Sequence, residues 1–258
     1  MSNIYIYLST YGKKIKKNWY GEPIEVGAIG RENFVYSLKD FEGDNISIDN
    51  PIMAELTGMY YVWKNIKMKE EDIIGFAHYN KVLRVNKRRI NRLFSNAGEN
   101  NLWIVRKPVV AHVHDYPNDI KELEDILLKG NVKYYRAWSQ LYNNDGSSKK
   151  KNCNAANMFI TTRKQFDEYC EWLFPIMYEL KRRIGETDRV PYHKRYCAFI
   201  AERLLSVYIK ANKCEVKEVE MDYGESLIRY WGRVILSPLP ESIIKKIPFV
   251  KKGESSYL

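Results

Sequence analysis

Two stretches of this 258-residue chain combine residue types suited to acid–base and phosphate chemistry. In DIIGFAHYNK an apolar run ends at His78 and Tyr79. Histidine changes charge near neutral pH, so at the end of a strand His78 can contact a phosphate or polarise a hydroxyl. It can equally be a hydrogen-bonded core residue. The second stretch is KRYCAFIAERLLSVYI, where Tyr196, Phe199, Ile200, Leu204 and Val207 recur at helical spacing. Arg203 falls within that apolar face. An isolated buried guanidinium costs several kcal/mol, so Arg203 is expected to meet a carboxylate or a phosphate. Glu202 and Arg195 share a second face of the same helix.

Weaker candidates lie elsewhere. Asp44, Asn45 and Ser47 form either a plain turn or a carboxylate, amide and hydroxyl that touch a sugar or ribose. Glu55 flanks the stripe begun by Leu56, with polar Thr57 and Lys64 on the same stretch. HVHD offers His112, His114 and Asp115, but two histidines and one carboxylate leave a metal site short of a ligand. Glu220 and Asp222 do not end an internal strand. No divalent metal and no cofactor are therefore expected. P-loop, dinucleotide-fingerprint and nucleophile-elbow patterns are absent. The four cysteines (Cys153, Cys170, Cys197, Cys214) contain no CxxC pair and read as small core residues.

The elements that must position these groups alternate. IYIYLST reads as a strand. Residues 19–50 form a long loop rich in glycine, the kind that more often serves a function than not. Asp49, Asn50 and Pro51 start a helix that continues to Asn65. DIIGFAHY is a second strand, so the strand–helix–strand order predicts a parallel pair. LWIVRKP is a third strand, and 118–142 is helical, turning aromatic toward its end. NNDGSSKKKN at 143–152 is the segment expected to be mobile. NMFIT is a strand, 164–184 a long helix kinked at Pro175, 192–210 another helix and CEVKEVEM the last strand. Ligands in open α/β sheets sit outside the carboxyl ends of the strands. That rule singles out Thr10 with Ser9, His78 with Tyr79, and Thr161 with Thr162.

Composition bounds the rest. Lys and Arg exceed Asp and Glu by 42 − 32 = 10, which favours anionic partners. No nucleic-acid motif sits on the basic clusters, and no nucleic-acid partner is expected. Hydrophobic content of 45% excludes a disordered chain. No apolar run is long enough to span a bilayer. The first ten residues lack the layout of a secretory signal, so a cytoplasmic location is expected.

The pieces DNIS, ELTG-x-Y, WKN, IG-x-x-HY, NMFI, EYCEWLF and ERLL, in this order, resemble the bacterial capsular- and exopolysaccharide-biosynthesis domain family long labelled as of unknown function. The resemblance runs from about residue 3 to about residue 222. That family is regarded as glycosyltransferases, with galactosyl or galactofuranosyl transfer implied for some members. The resemblance implies a GT-A-like nucleotide-sugar-binding α/β fold with a mostly parallel central sheet flanked by helices. It places the donor across the ends of the first strands and the acceptor beside NMFI, where Asn157 and Thr161 lie. The family usually carries HYRR where this chain has HYNK, so Lys81 or Arg84 must stand in for an arginine near the donor phosphates.

The expected activity is transfer of a hexose, galactose or galactofuranose, from a UDP-sugar to a polyprenyl-linked saccharide. Glu202 is the expected base, with Asp115 the alternate. Arg203, Arg195, Lys64 and His78 are the candidates for the diphosphate, and Thr10, Asp44, Asn45, Glu55 and Tyr79 complete the donor set. A non-catalytic saccharide- or membrane-binding module with the same fold is the alternative. Residues 1–225 are read as the transferase-like domain. Residues 226–258, which mix aromatic and aliphatic residues with lysines, are read as a tail touching the inner face of the membrane.

Overall fold

The computed structural model describes residues 2–15, 19–97, 101–114 and 116–224. Asp115 and the proposed membrane-contacting tail, 226–258, lie outside the described residues. The chain divides into two units after residue 222. The fold below is that of the first.

Strands β1 (Ile4–Thr10), β2 (Glu22–Glu25), β3 (Ile73–His78), β5 (Leu102–Arg106), β6 (Phe159–Thr162) and β7 (Glu215–Val219) build one sheet in the order β2-β1-β3-β6-β5-β7. β1 is parallel to β2 and β3, and β5 is parallel to β7. β6 is antiparallel to both of its neighbours. The sheet is therefore mostly parallel, with one reversed strand near its centre. A two-stranded ribbon of β4 (Val82–Leu83) and β8 (Met221–Asp222) stands apart.

Both faces of the sheet are covered, as a parallel sheet requires. On one face Tyr7, Phe76, Phe159 and Trp103 meet the long helix α6 (Arg163–Ile184) through Phe166 and Tyr169. The helix α7 (Tyr196–Ala211) joins them through Tyr208. On the other face Gly75 lets β1 and β6 close over β3. A Cβ there would stand 2.7 Å from Ile6 Cδ1 and 2.8 Å from Ile160 Cγ1. The helix α3 (Lys87–Asn96) follows β4, with Asn86 capping its start by accepting a hydrogen bond from the Arg89 N–H.

Several expected elements are corrected. The helix expected from Pro51 to Asn65 is two, α1 (Asn50–Met53) and α2 (Leu56–Asn65), because Ala54 adopts φ 46°, ψ −125°. The Asn50 amide and the Thr57 hydroxyl both donate to the Ala54 carbonyl and hold that break. The segment 118–142 is likewise α4 (Pro117–Gly130) and α5 (Val132–Leu141), separated by Asn131, which caps α5. The long helix expected over 164–184 forms as α6, with Pro175 inside it. α7 starts at Tyr196, with turns at 191–194.

The two polar loops are well tied. In 19–50, beyond the short strand β2, two fully buried carboxylates organise the chain. Asp40 accepts from the Gly27 and Ala28 N–H groups at 2.8 and 2.9 Å and from the Ser47 hydroxyl at 2.6 Å. Glu25 accepts from the Gly12 and Val35 N–H groups and pairs with Arg31. The segment 143–152, expected to be mobile, is held by the Ser148 N–H donating to Ala111 O and by a bond from Arg203 to Gly146 O.

Candidate active site

The site forms at the carboxyl edge of β1 and β3. Ser9 pairs with His78 in the parallel register, so both strands end together. The Tyr79 N–H donates to Ser9 O at 3.0 Å. His78 and Lys81 then exchange backbone hydrogen bonds of 3.1 and 3.3 Å, which folds Lys81 back beside the histidine. Because β6 runs the other way, the residues just before it arrive at this same edge.

Ala156 (φ 81°) and Asn157 (φ 47°) make that arrival in the left-handed region. Non-glycine residues held there cost on the order of 1–3 kcal/mol each, and such strain gathers at functional sites. The turn serves three side chains. The His78 ring donates from Nε2 to the Ala156 carbonyl at 2.7 Å. A carbonyl can only accept, so the neutral ring keeps its lone pair on Nδ1. The Asn157 amide, itself 3% exposed, donates to Glu55 Oε1 at 2.7 Å and to Ala198 O at 3.2 Å. Glu55 is brought here by the Ala54 break, which sets it at the N-terminus of α2. Glu202 comes from α7 and Arg195 from the cap residue just before it.

The charges act on one another. Burial, and then the negative charge of Glu55, raise the pKa of Glu202; Lys81, the Ala156 N–H and Arg203 pull it partly back. Burial, then the positive charges of Lys81 and Arg195, lower the pKa of His78 against the opposing pull of Glu55 and the Ala156 carbonyl. Two carboxyl groups, a histidine that is neutral at pH 7 and two cations therefore share one edge. Among the described residues, neither Lys81 nor Arg195 forms an ion pair.

Of the residues expected from sequence, the structure brings His78, Tyr79, Glu55, Asn157, Arg195 and Glu202 to this edge. Thr10 also ends here, but its buried hydroxyl is engaged with the Lys13 N–H and carbonyl. Other candidates lie elsewhere. Asp44 accepts from Tyr60, and its backbone bonds Asn65 near the far end of α2, about 15 Å along the helix from Glu55. Asn45 holds its own turn through Phe41 O and Gly43 O. Lys64 lies over the Trp63 ring at 3.4 Å. Thr161 pairs with Ile74 at the opposite end of the sheet, since β6 is reversed, and donates to Leu102 O.

Among the described residues Arg203 meets no carboxylate. It donates to Gly146 O at 2.8 Å, Phe199 O at 3.0 Å and His112 O at 3.0 Å. Three carbonyl dipoles satisfy its charge, a solution that apolar periodicity does not reveal. His114 is engaged with buried Asp119, which also takes a bidentate pair from Arg189 at 2.6 and 2.7 Å. Among the described residues no cluster of three histidine, cysteine or acidic side chains could hold a metal. What the sequence did not announce is the Ala156–Asn157 turn. Its only trace is a run of small residues before NMFI.

An α/β domain with a mostly parallel sheet, carrying acidic, imidazole and cationic groups at its carboxyl edge, is the class that fold and site define. The chain belongs to the family described as Domain of unknown function (DUF4422), which matches residues 3–213. No curated protein matches it. Among solved structures it is similar to the apo structure of WbbM, a bifunctional glycosyltransferase, with a TM-score of 0.69 and 24% sequence identity. That likeness covers 85% of this chain and 45% of the other, so the chain spans less than half of its structural relative. The shared property is the fold.

Proposed function

We propose that this chain is a glycosyltransferase domain whose reaction centre is the carboxyl edge of β1 and β3. The observation that carries the reading is the convergence of Glu202, Glu55, His78, Lys81 and Arg195 around the Ala156–Asn157 turn. The fold shared with a bifunctional glycosyltransferase supports it. The donor is a UDP-sugar, its hexose galactose or galactofuranose. The acceptor is a saccharide carried on a polyprenyl lipid at the inner face of the cell membrane, in the making of capsular or exopolysaccharide.

Glycosyl transfer needs a group to take the proton of the acceptor hydroxyl as its oxygen bonds to the anomeric carbon. Glu202 takes it; its raised pKa makes the ionised form a better base than an ordinary carboxylate. The bond between the anomeric carbon and the diphosphate breaks, and the nucleoside diphosphate leaves with the electron pair. Lys81 and Arg195 stabilise that departing charge, so turnover needs no divalent ion. His78 accepts a substrate hydroxyl at Nδ1, and Asn157 holds Glu55 in place.

Calorimetry with UDP, UDP-galactose and UDP-galactofuranose tests the reading, with binding of at least one expected. Glu202→Gln lowers turnover by about a hundredfold or more without unfolding the protein. EDTA leaves turnover unchanged. Failure to bind any nucleoside diphosphate overturns the proposal, and binding of a nucleotide sugar with no transfer to any acceptor points to a saccharide-binding module instead.

A further inference from the structure

The face of the sheet opposite α6 and α7 carries a charge pattern that the transferase site does not use. Residues 82–97 contain Arg84, Lys87, Arg88, Arg89 and Arg92 and no aspartate or glutamate. Four of these cations lie on α3, where Lys87, Arg88 and Arg92 are exposed and Arg89 is half-buried. Among the described residues none of the four forms an ion pair. The contrast with α6 is sharp. There Arg163, Lys181, Arg182 and Arg183 all pair with carboxylates. A helix whose cations form no ion pair keeps much of its positive field for an outside partner.

The surroundings of α3 mix apolar with charged groups. Ile90 anchors the helix to the domain, while Leu93 and Phe94 remain half-exposed beside the cations. Next to it a cleft of about 340 Å³ is lined by Ile6 and Ile160 of the sheet, by Trp19 and Tyr20, and by Arg89 and Asp222. Cations beside aliphatic and aromatic groups suit the headgroup boundary of a bilayer. A nucleic acid offers phosphates but nothing to match an aliphatic cleft.

We propose that α3 and this cleft dock the protein on an anionic lipid surface, with the arginines among the headgroups. The inference does not depend on the transferase reading, because it is read by vesicle binding alone. Each basic residue near an anionic leaflet raises partitioning on the order of fivefold.

The test is flotation of the full chain with vesicles of phosphatidylcholine alone, or with about a third phosphatidylglycerol, at about 0.1 M and 0.5 M salt. The expected result is binding to the anionic vesicles only, weakened by salt. The double variant Arg88→Glu, Arg92→Glu lowers binding by at least about tenfold while its circular dichroism and melting stay unchanged. Equal binding to neutral vesicles overturns the proposal, as does undiminished binding of the double variant. So does tight binding to duplex DNA with none to anionic vesicles, which would make the patch a polyanion site.

Discussion

Replacing Arg203 separates a structural role from a ligand-binding one. In Arg203→Met the apolar stem is kept and three charged N–H···O=C bonds are lost, to Gly146, Phe199 and His112. Bonds from charged donors contribute about 1.5–3 kcal/mol each, and an orphaned buried acceptor costs about 1–3 kcal/mol. Arg203 is 9% exposed, so water reaches some of the abandoned carbonyls and the full sum is not realised. The expected loss is about 3–5 kcal/mol, a third or more of the stability of a typical domain. For a chain of this size that lowers the melting temperature by about 6–20 °C. Arg203→Lys retains the charge and reaches fewer carbonyls, so it falls between wild type and Arg203→Met. Thermal and urea denaturation followed by circular dichroism give these values, and calorimetry with UDP gives ligand affinity. Because three backbone carbonyls hold the guanidinium, UDP affinity of the lysine variant stays within about threefold of wild type. A methionine variant within about 1 kcal/mol of wild type refutes the argument. So does a lysine variant that keeps its stability and loses UDP binding.

Three other outcomes follow from the geometry. His78 has a lowered pKa in the folded protein, so the wild type loses stability as pH falls from the ordinary value of 6.5 through that lowered value; His78→Gln flattens this part of the profile in pH-dependent melting. Glu202 has a raised pKa, so stability falls as pH rises from the ordinary 4.5 through the raised value; Glu202→Gln removes that decline, and an unchanged profile would place the carboxyl in water. Asp40→Ala leaves the Gly27 and Ala28 N–H groups and the Ser47 hydroxyl without their acceptor and costs about 3 kcal/mol or more in urea denaturation, whereas a surface-like loss below about 0.5 kcal/mol would deny it any role in building the loop.

Local pattern carried a good part of the molecule. Apolar alternation in IYIYLST, the run DIIGFAH and the stripe of 164–184 are properties of neighbouring residues, and the elements formed where these patterns stand. The α/β class followed from their alternation, and the carboxyl edge of β1 and β3 followed from the general behaviour of such sheets. His78, Glu202 and Arg195 could be singled out because each interrupts or flanks an apolar pattern.

Three features waited for the tertiary structure, each because it depends on partners far away in the chain. The direction of β6 is set by pairing with β3 and β5, and it moved Thr161 away from the edge while bringing Asn157 to it. Ala54 and Ala156 carry no side chain that signals a positive φ; the bonds from Asn50, Thr57 and His78 hold their backbones. The partner of a buried charge is likewise a matter of three dimensions. The sequence by itself determined that Arg203 must be neutralised, because a lone buried charge is too costly. Only the tertiary structure decided that three backbone carbonyls would do it, because loop 143–152 and residue 112 come beside α7 only when the chain is folded.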